Sequence, residues 1–312
     1  MTTRRKSIKL LGTAVAAAVI PLTTCSANAV NRPAQFRYCL NTSTIRGQGL
    51  GLVKNIEIAA EAGYDGVELW IDDVKAYLSA GGSLSELRNI IHSGSLSIEG
   101  AIGFAPWITD DPEVRQKGLV RMEEEMEMMA GLECRRIAAP PAGFHQRPDL
   151  DLLEAGARYR KLLDLGRKTG VMPQLEFWGA SMSLNHLGQA LMIAAAADDP
   201  DVKILADVFH LFRGGSGFNG LKMIQGNVLE IFHMNDYPGT IPRLEQTDAD
   251  RVYPGDGVAP VRQILSDLDK MGGVKVLSLE LFNREYWKRD ALDVAATGLR
   301  KMKGLVASSV DG

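Results

Sequence analysis

Short apolar runs alternate along the chain with longer stretches of helical periodicity. The apolar or β-branched runs fall at 36–40, 66–71, 96–103, 136–139, 171–178, 202–208, 228–234 and 276–282, often bounded by Gly, Pro or Asp. They are continuous rather than alternating, as expected of strands buried on both faces. Helical spacing lies between and after them, at 52–62, 84–91, 113–130, 152–168, 184–197, 221–225, 261–271 and 291–305. The stretch 113–130 is the plainest: Leu119, Met122, Met126 and Met129 recur three or four apart with acids between them. Strands and helices in strict alternation, eight of each, predict a single-domain (β/α)8 TIM barrel over residues 30–312. A doubly wound open sheet is the alternative, but the glycines of 42–51 lack the spacing of a phosphate-binding turn. The regular rhythm breaks before the last strand, where 237–257 form a long connection. Loops of that length inside a compact domain are uncommon and usually functional.

The amino terminus does not fit this rhythm. It carries Arg4-Arg5, an apolar stretch at 10–22, and the small-residue triplet Ala27-Asn28-Ala29. That is the layout of a cleaved signal, too short in its apolar part to span a bilayer. The start Thr3-Arg4-Arg5-Lys6-Ser7-Ile8-Lys9 resembles a twin-arginine signal, which predicts removal of residues 1–29 and export, to the periplasm. A general secretory signal, or a lipoprotein site at Cys25, is the lesser alternative. Cleavage removes four basic residues and no acids, so the net charge of −3 falls by four to −7. An acidic balance argues against a nucleic-acid partner, which needs clustered Lys and Arg. No transmembrane segment is expected in the mature chain, and a homo-oligomer is allowed. Three cysteines are too few for a disulfide framework, and Cys39 and Cys134 are expected buried and reduced.

A barrel places its chemistry at the C-terminal ends of the strands. The last four apolar runs each carry an ionisable residue there: Glu176 in Gln174-Leu175-Glu176-Phe177, Asp207 in Leu205-Ala206-Asp207-Val208, His233 in Phe232-His233-Met234, and Glu280 in Leu279-Glu280-Leu281. Strand alternation turns the flanking apolar residues outward and these four inward. Any one of them alone is as readily an ion-pair partner. Three carboxylates buried together repel one another and are poorly solvated, and these runs contain no cation except Lys203. A single divalent ion held by Glu176, Asp207, His233 and Glu280 resolves this. The donor set favours Mn²⁺, with Mg²⁺, Co²⁺ or Zn²⁺ as alternatives.

These residues carry a resemblance to the xylose isomerase-like TIM barrels, a family of sugar isomerases, epimerases and dehydratases. Residues 59–70 (AAEAGYDGVELW) look like the family's first helix and second strand. The resemblance implies that the four residues bind one metal and that Glu176 and Glu280 are also the catalytic acid–base pair. It further implies substrate contacts from His210, in Asp207-Val208-Phe209-His210, and from Arg251, in Arg251-Val252-Tyr253-Pro254-Gly255-Asp256-Gly257. Trp107, His145 and Trp178, in loops after the third, fourth and fifth strands, are further candidates for substrate binding. His92 and His186 read as structural, and Asp236 and Arg243 as residues that shape the long loop. The implied function is a metal-dependent isomerase or epimerase. It abstracts a proton next to a carbonyl, through a metal-bound enediolate. The export signal, which leads to a compartment poor in phosphorylated sugars, separately predicts an unphosphorylated carbohydrate such as a keto-sugar as the substrate. The alternatives are a lyase of the same family, acting on a 3-dehydroshikimate-like compound or a keto-glycoside, and a non-catalytic sugar-binding barrel. Two departures argue against free-ketose 3-epimerase specificity: Met182 stands where those enzymes have a further Glu, and residues 237–250 lengthen the path from His233 to Arg251.

Overall fold

The structure is a computed structural model and describes residues 35–310. The signal segment read at 1–29 lies outside the described residues. Eight parallel strands close into a barrel in chain order: β1 (Gln35–Asn41), β2 (Gly66–Trp70), β3 (Ser97–Ile102), β4 (Arg136–Ala139), β5 (Met172–Glu176), β6 (Ile204–Asp207), β7 (Ile231–Met234) and β8 (Val274–Leu279). The closure is the pairing of β1 with β8, where Cys39 lies opposite Ser278. The TIM barrel expectation is met.

The helices that cover it are α1 (Leu52–Ala62), α2 (Ile71–Ser79), α3 (Leu84–Ser93), α4 (Pro112–Gly131), α5 (Leu152–Thr169), α6 (Leu187–Ala197), α7 (Val208–Arg213), α8 (Val261–Met271) and α9 (Ala291–Val310). Local chemistry sets their ends. Asp111 caps α4 by accepting from the backbone N–H groups of Glu113 and Val114, and Pro112 takes the first helical position, where no N–H is needed. Asp151 caps α5 in the same way, and Gly170 ends that helix in the left-handed region. Two short helices, α2 and α7, were not read in the sequence. The helical stretch expected at 221–225 is a 3₁₀ turn at Asn219–Met223. It holds too few apolar positions to sustain a longer helix.

Two apolar layers result from the alternation of faces. Leu40, Leu69, Leu277 and Leu279 pack outward under the helices, whereas Cys39, Ile102, Ala138, Leu205, Ile231 and Val276 fill the barrel. Below that plug, at the N-terminal end of the strands, Arg37 pairs with Glu99, Arg136 with Glu99 and Glu230, and Lys203 with Glu230. Cations and anions alternate there, so this end is charge-compensated. The opposite end holds the acids.

Candidate metal centre

Each of the four inward-facing groups comes from a strand end. Glu176 is the last residue of β5 and Asp207 the last of β6; His233 lies opposite Asp207 on one side and Ser278 on the other, and Glu280 follows β8. Asp207 is fixed because it also caps α7: its Oδ1 accepts from the backbone N–H of His210 at 3.0 Å. That cap sets His210 one turn further on, at the rim of the same site.

Asp207, His233 and Glu280 are buried, and one ligand atom from each lies within 4.8 Å of the others. His233 Nδ1 is 3.2 Å from Glu280 Oε2 and 3.7 Å from Asp207 Oδ2. The other ring nitrogen, Nε2, donates to Glu68 Oε2 at 2.9 Å. Glu68 also accepts from Ser278 Oγ at 2.8 Å and from Asn41 Nδ2 at 2.9 Å. A carboxylate behind an imidazole fixes its tautomer and makes the opposite nitrogen a better donor to a cation. Asn41 reaches further, to Glu280 Oε1 at 3.1 Å. A glycine makes room for this arrangement: a Cβ on Gly100 would sit 2.8 Å from Glu68 Oε1.

Glu68 and Asn41 were not singled out in the sequence. The signal for Glu68 was present, since Val67-Glu68-Leu69 has the same pattern of an acid between apolar neighbours as the other strands. For Asn41 there was none, because a polar residue ending a strand is ordinary.

The electrostatics correct one expectation. A protein cation does enter the site, through the loop rather than the strands. Arg251 is 1% exposed, and its Nη1 donates to Asp207 Oδ2 and Glu280 Oε2, each at 2.8 Å. Its other edge donates to Asp248, with Nη2 at 2.5 Å and Nε at 3.1 Å from Oδ1, and Nη2 lies 3.3 Å from His210 Nε2. Burial would raise the Asp207 pKa, but the Arg251 charge overrides it and holds the carboxyl below its ordinary range. Burial would likewise lower the pKa of His233, yet Glu280 and Glu68 hold it above the usual imidazole value. For His210 burial prevails and its pKa falls.

One arginine does not satisfy the site. Glu176 Oε2 and His233 Nδ1 are both buried with no hydrogen-bond partner. Burial pushes Glu176 up to about 8; His233 opposes the rise, and the charges of Glu280 and Asp207 reinforce it. A carboxylate oxygen and an imidazole nitrogen, neither with a formed hydrogen bond, beside two more carboxylates make a donor set that fits a divalent ion. Glu176 stands somewhat apart from the tight group of three.

A cavity of about 620 Å³ opens above these groups, lined by Glu176, His210, Arg251 and Glu280. His145 and Trp178 line it too, as their loop positions suggest. Trp107 does not. It is fully buried, its ring packs near Tyr159, and its Nε1 donates to Pro140 O at 2.8 Å. The expected substrate contact from Trp107 is therefore corrected to a core role, since its ring is held between Tyr159 and the Pro140 carbonyl. His186 caps α6 and His92 reaches Glu133 on the surface, both in keeping with structural roles.

The long loop is tied down at its base. Asp236 and Val252 exchange backbone hydrogen bonds, and the Asp236 carboxylate accepts from the N–H groups of Tyr237, Gly255 and Ala259. Gly257 is needed there, because a Cβ would sit 2.3 Å from Asp236 Oδ1. Arg243 donates to Arg213 O at 2.7 Å and anchors the far limb. Held this way, the loop brings Thr247, Asp248 and Ala249 to the cavity wall.

The same fold is found among known proteins. The model of the family described as xylose isomerase-like TIM barrel matches residues 56–305. An inosose isomerase of Bacillus velezensis is 26% identical over 277 residues, covering 87% of this chain and 97% of that protein. A 3-dehydroshikimate dehydratase of Pseudomonas putida is 26% identical over 258 residues, or 80% of this chain and 39% of that protein. Among solved structures, the 1.8 Å crystal structure of the IOLI protein with a bound zinc atom aligns with a TM-score of 0.81 at 25% identity. That match covers 88% of this chain and 99% of the other.

Proposed function

The chain belongs to the xylose isomerase-like TIM barrel family, and from that premise we propose that it is a divalent-metal-dependent isomerase or epimerase of an unphosphorylated carbohydrate, a keto-sugar in particular. The observation that carries this is Glu176 Oε2, buried without a hydrogen bond in a residue that lines a ligand-sized cavity, together with His233 Nδ1, buried beside Asp207 and Glu280. Glu176, Asp207, His233 and Glu280 would hold the ion, with manganese as the native metal. Such an ion supplies Lewis-acid stabilisation of negative charge on adjacent substrate oxygens. The similarity to inosose isomerases makes an inosose the first compound to assay.

The protein's own groups divide the acid–base work. Glu176, whose Oε2 is buried with no hydrogen-bond partner, is placed to take and return a proton. Both oxygens of Glu280 accept hydrogen bonds, from Asn41 and from Arg251, which suits it to act as a fixed carboxylate base on the opposite face. Two carboxylates in unlike surroundings are the usual arrangement for such a pair. His210 and Arg251 would bind substrate oxygens, and His145 and Trp178 would border the substrate. The cations lining the cavity are Arg251, already engaged by three carboxylates, and the exposed Arg284. That is a weak grip for a phosphate and supports a substrate without one. Export through the signal read at 1–29 would place the enzyme in the periplasm, where free sugars predominate.

A lyase remains the second reading, because the Pseudomonas putida relative is a dehydratase. Incubation of the manganese-loaded enzyme with an inosose and a panel of keto-sugars in D₂O separates the two. Deuterium uptake without loss of water is expected, and a vinylic proton signal would indicate elimination. Glu280→Gln should lower uptake by at least ~100-fold. Unchanged turnover would remove Glu280 from the mechanism.

A further inference from the structure

The cavity carries both polar groups and a set of aromatic rings, and the chemistry proposed above rests on the polar groups. On the side of β5 to β8 lie Glu176, His210, Asp248, Arg251 and Glu280. Trp70 and Phe104, from β2 and after β3, join Trp178 after β5 and Phe282 after β8 in an unbroken arc of half-buried rings that line the cavity. Phe282 lies edge-on to Trp70 at 6.1 Å between centroids, Trp70 lies 5.4 Å from Phe104, and Phe104 lies 5.9 Å from Trp178. His145 closes the arc, edge-on to Trp178 at 5.6 Å, with its Nδ1 buried and unpartnered.

The rings are held from behind. Trp70 Nε1 donates to Asn41 Oδ1 at 2.8 Å, and the Arg46 guanidinium covers the ring at 3.8 Å while pairing with Asp73. A single carbohydrate ring reaching the acids would leave much of the arc uncovered, with its apolar surface facing solvent. Rigid aromatic faces next to a polar pocket suit a ring that presents a flat C–H or π face.

We propose that this arc is a second subsite, which holds a ring joined to the carbohydrate ring undergoing reaction. The substrate is then a glycoside or a linked-sugar unit rather than a free monosaccharide. The proposal rests on the metal-dependent sugar chemistry argued above. The joined ring, whether a second sugar or an aromatic aglycone, stacks on Trp178, Phe104 and Trp70. The reacting ring meets Glu176 and Glu280, and His145 Nδ1 meets a polar group near the junction.

The test uses the full mature chain loaded with Mn²⁺ and three keto-glucosides as probes: the methyl glycoside, the phenyl glycoside and the glucose-linked disaccharide. The kcat/KM for deuterium exchange should be at least ten-fold higher for one or both two-ring probes than for the methyl glycoside. Whichever two-ring probe gains identifies the joined ring as aromatic or sugar. Phe104→Ala should cut that preference at least ten-fold, and Phe104→Leu, which keeps most of the packing, at least three-fold. Equal turnover of all three probes, or a preference unaffected by either variant, overturns the subsite. If no probe exchanges, the catalytic reading fails, and the arc is judged by binding alone. In that case phenyl β-glucoside or cellobiose should quench tryptophan fluorescence with at least ten-fold tighter affinity than glucose, and equal affinity overturns the proposal.

Discussion

Glu68 shows how much of the centre depends on a residue that would touch neither metal nor substrate. Its carboxylate gathers donors from β1, β7 and β8, and so aims His233 Nδ1 at Asp207 and Glu280. Removing such a supporting carboxylate typically costs ten- to a hundred-fold in metal affinity. Glu68→Gln should therefore weaken Mn²⁺ binding by about that factor, measured by calorimetric titration, and an unchanged affinity would show that His233 needs no such support. The four inward groups were legible in the sequence because each interrupts a run that is otherwise apolar. Arg251 was legible as a substrate contact but not as a partner of Asp207 and Glu280. It is 44 residues from the first and 29 from the second, and only closure of the loop brings them together. Trp107 was misread because residue type and loop position do not reveal which way a side chain turns.

Among the elements, the loop after β7 brings Thr247, Asp248, Ala249 and Arg251 to the cavity wall. Its length was visible as a break in the strand spacing, and its function was inferred from that alone. What the sequence did not reveal is that one carboxylate, Asp236, serves three backbone N–H groups at the loop's base. Buried donors left without an acceptor are costly, so Asp236→Ala should destabilise the fold by about 2–4 kcal/mol. Urea denaturation monitored by circular dichroism measures this, and a loss under about 0.5 kcal/mol would mean the loop is held otherwise. The strands were located well but drawn too long at some ends: β5 ends at Glu176 and β7 begins at Ile231, whereas the apolar runs extend to 178 and back to 228. Apolar residues continue beyond the ladder at either end of a strand because they pack into the core, as Phe177 after β5 and Leu229 before β7 do.

Over the whole molecule, the barrel separates two kinds of buried charge. Acids gather at the C-terminal rim, while the N-terminal end is compensated by Arg37, Glu99, Arg136, Lys203 and Glu230. In the sequence these five look like ordinary surface charges, and only the closed register brings them together. No described helix is long and apolar enough to cross a membrane. Burial would raise the Glu230 pKa, but hydrogen bonds from Lys203 and Arg136 hold it below the ordinary value of 4.5. A carboxyl depressed in the native state stabilises the fold above its unfolded pKa, and that contribution fades as the pH falls through the lower native value. The urea midpoint of the wild type should thus drop more steeply than that of Glu230→Gln between about pH 5 and pH 3. Parallel curves would show that the network adds nothing to stability.

Anomalous diffraction from crystals grown with Mn²⁺ tests the metal centre most directly. One strong peak is expected, bounded by Glu176, Asp207, His233 and Glu280 and absent from crystals of an Asp207→Asn, His233→Ala double variant. A wild-type map with no peak at that position, and Arg251 still seated between Asp207 and Glu280, would contradict a metal-dependent enzyme.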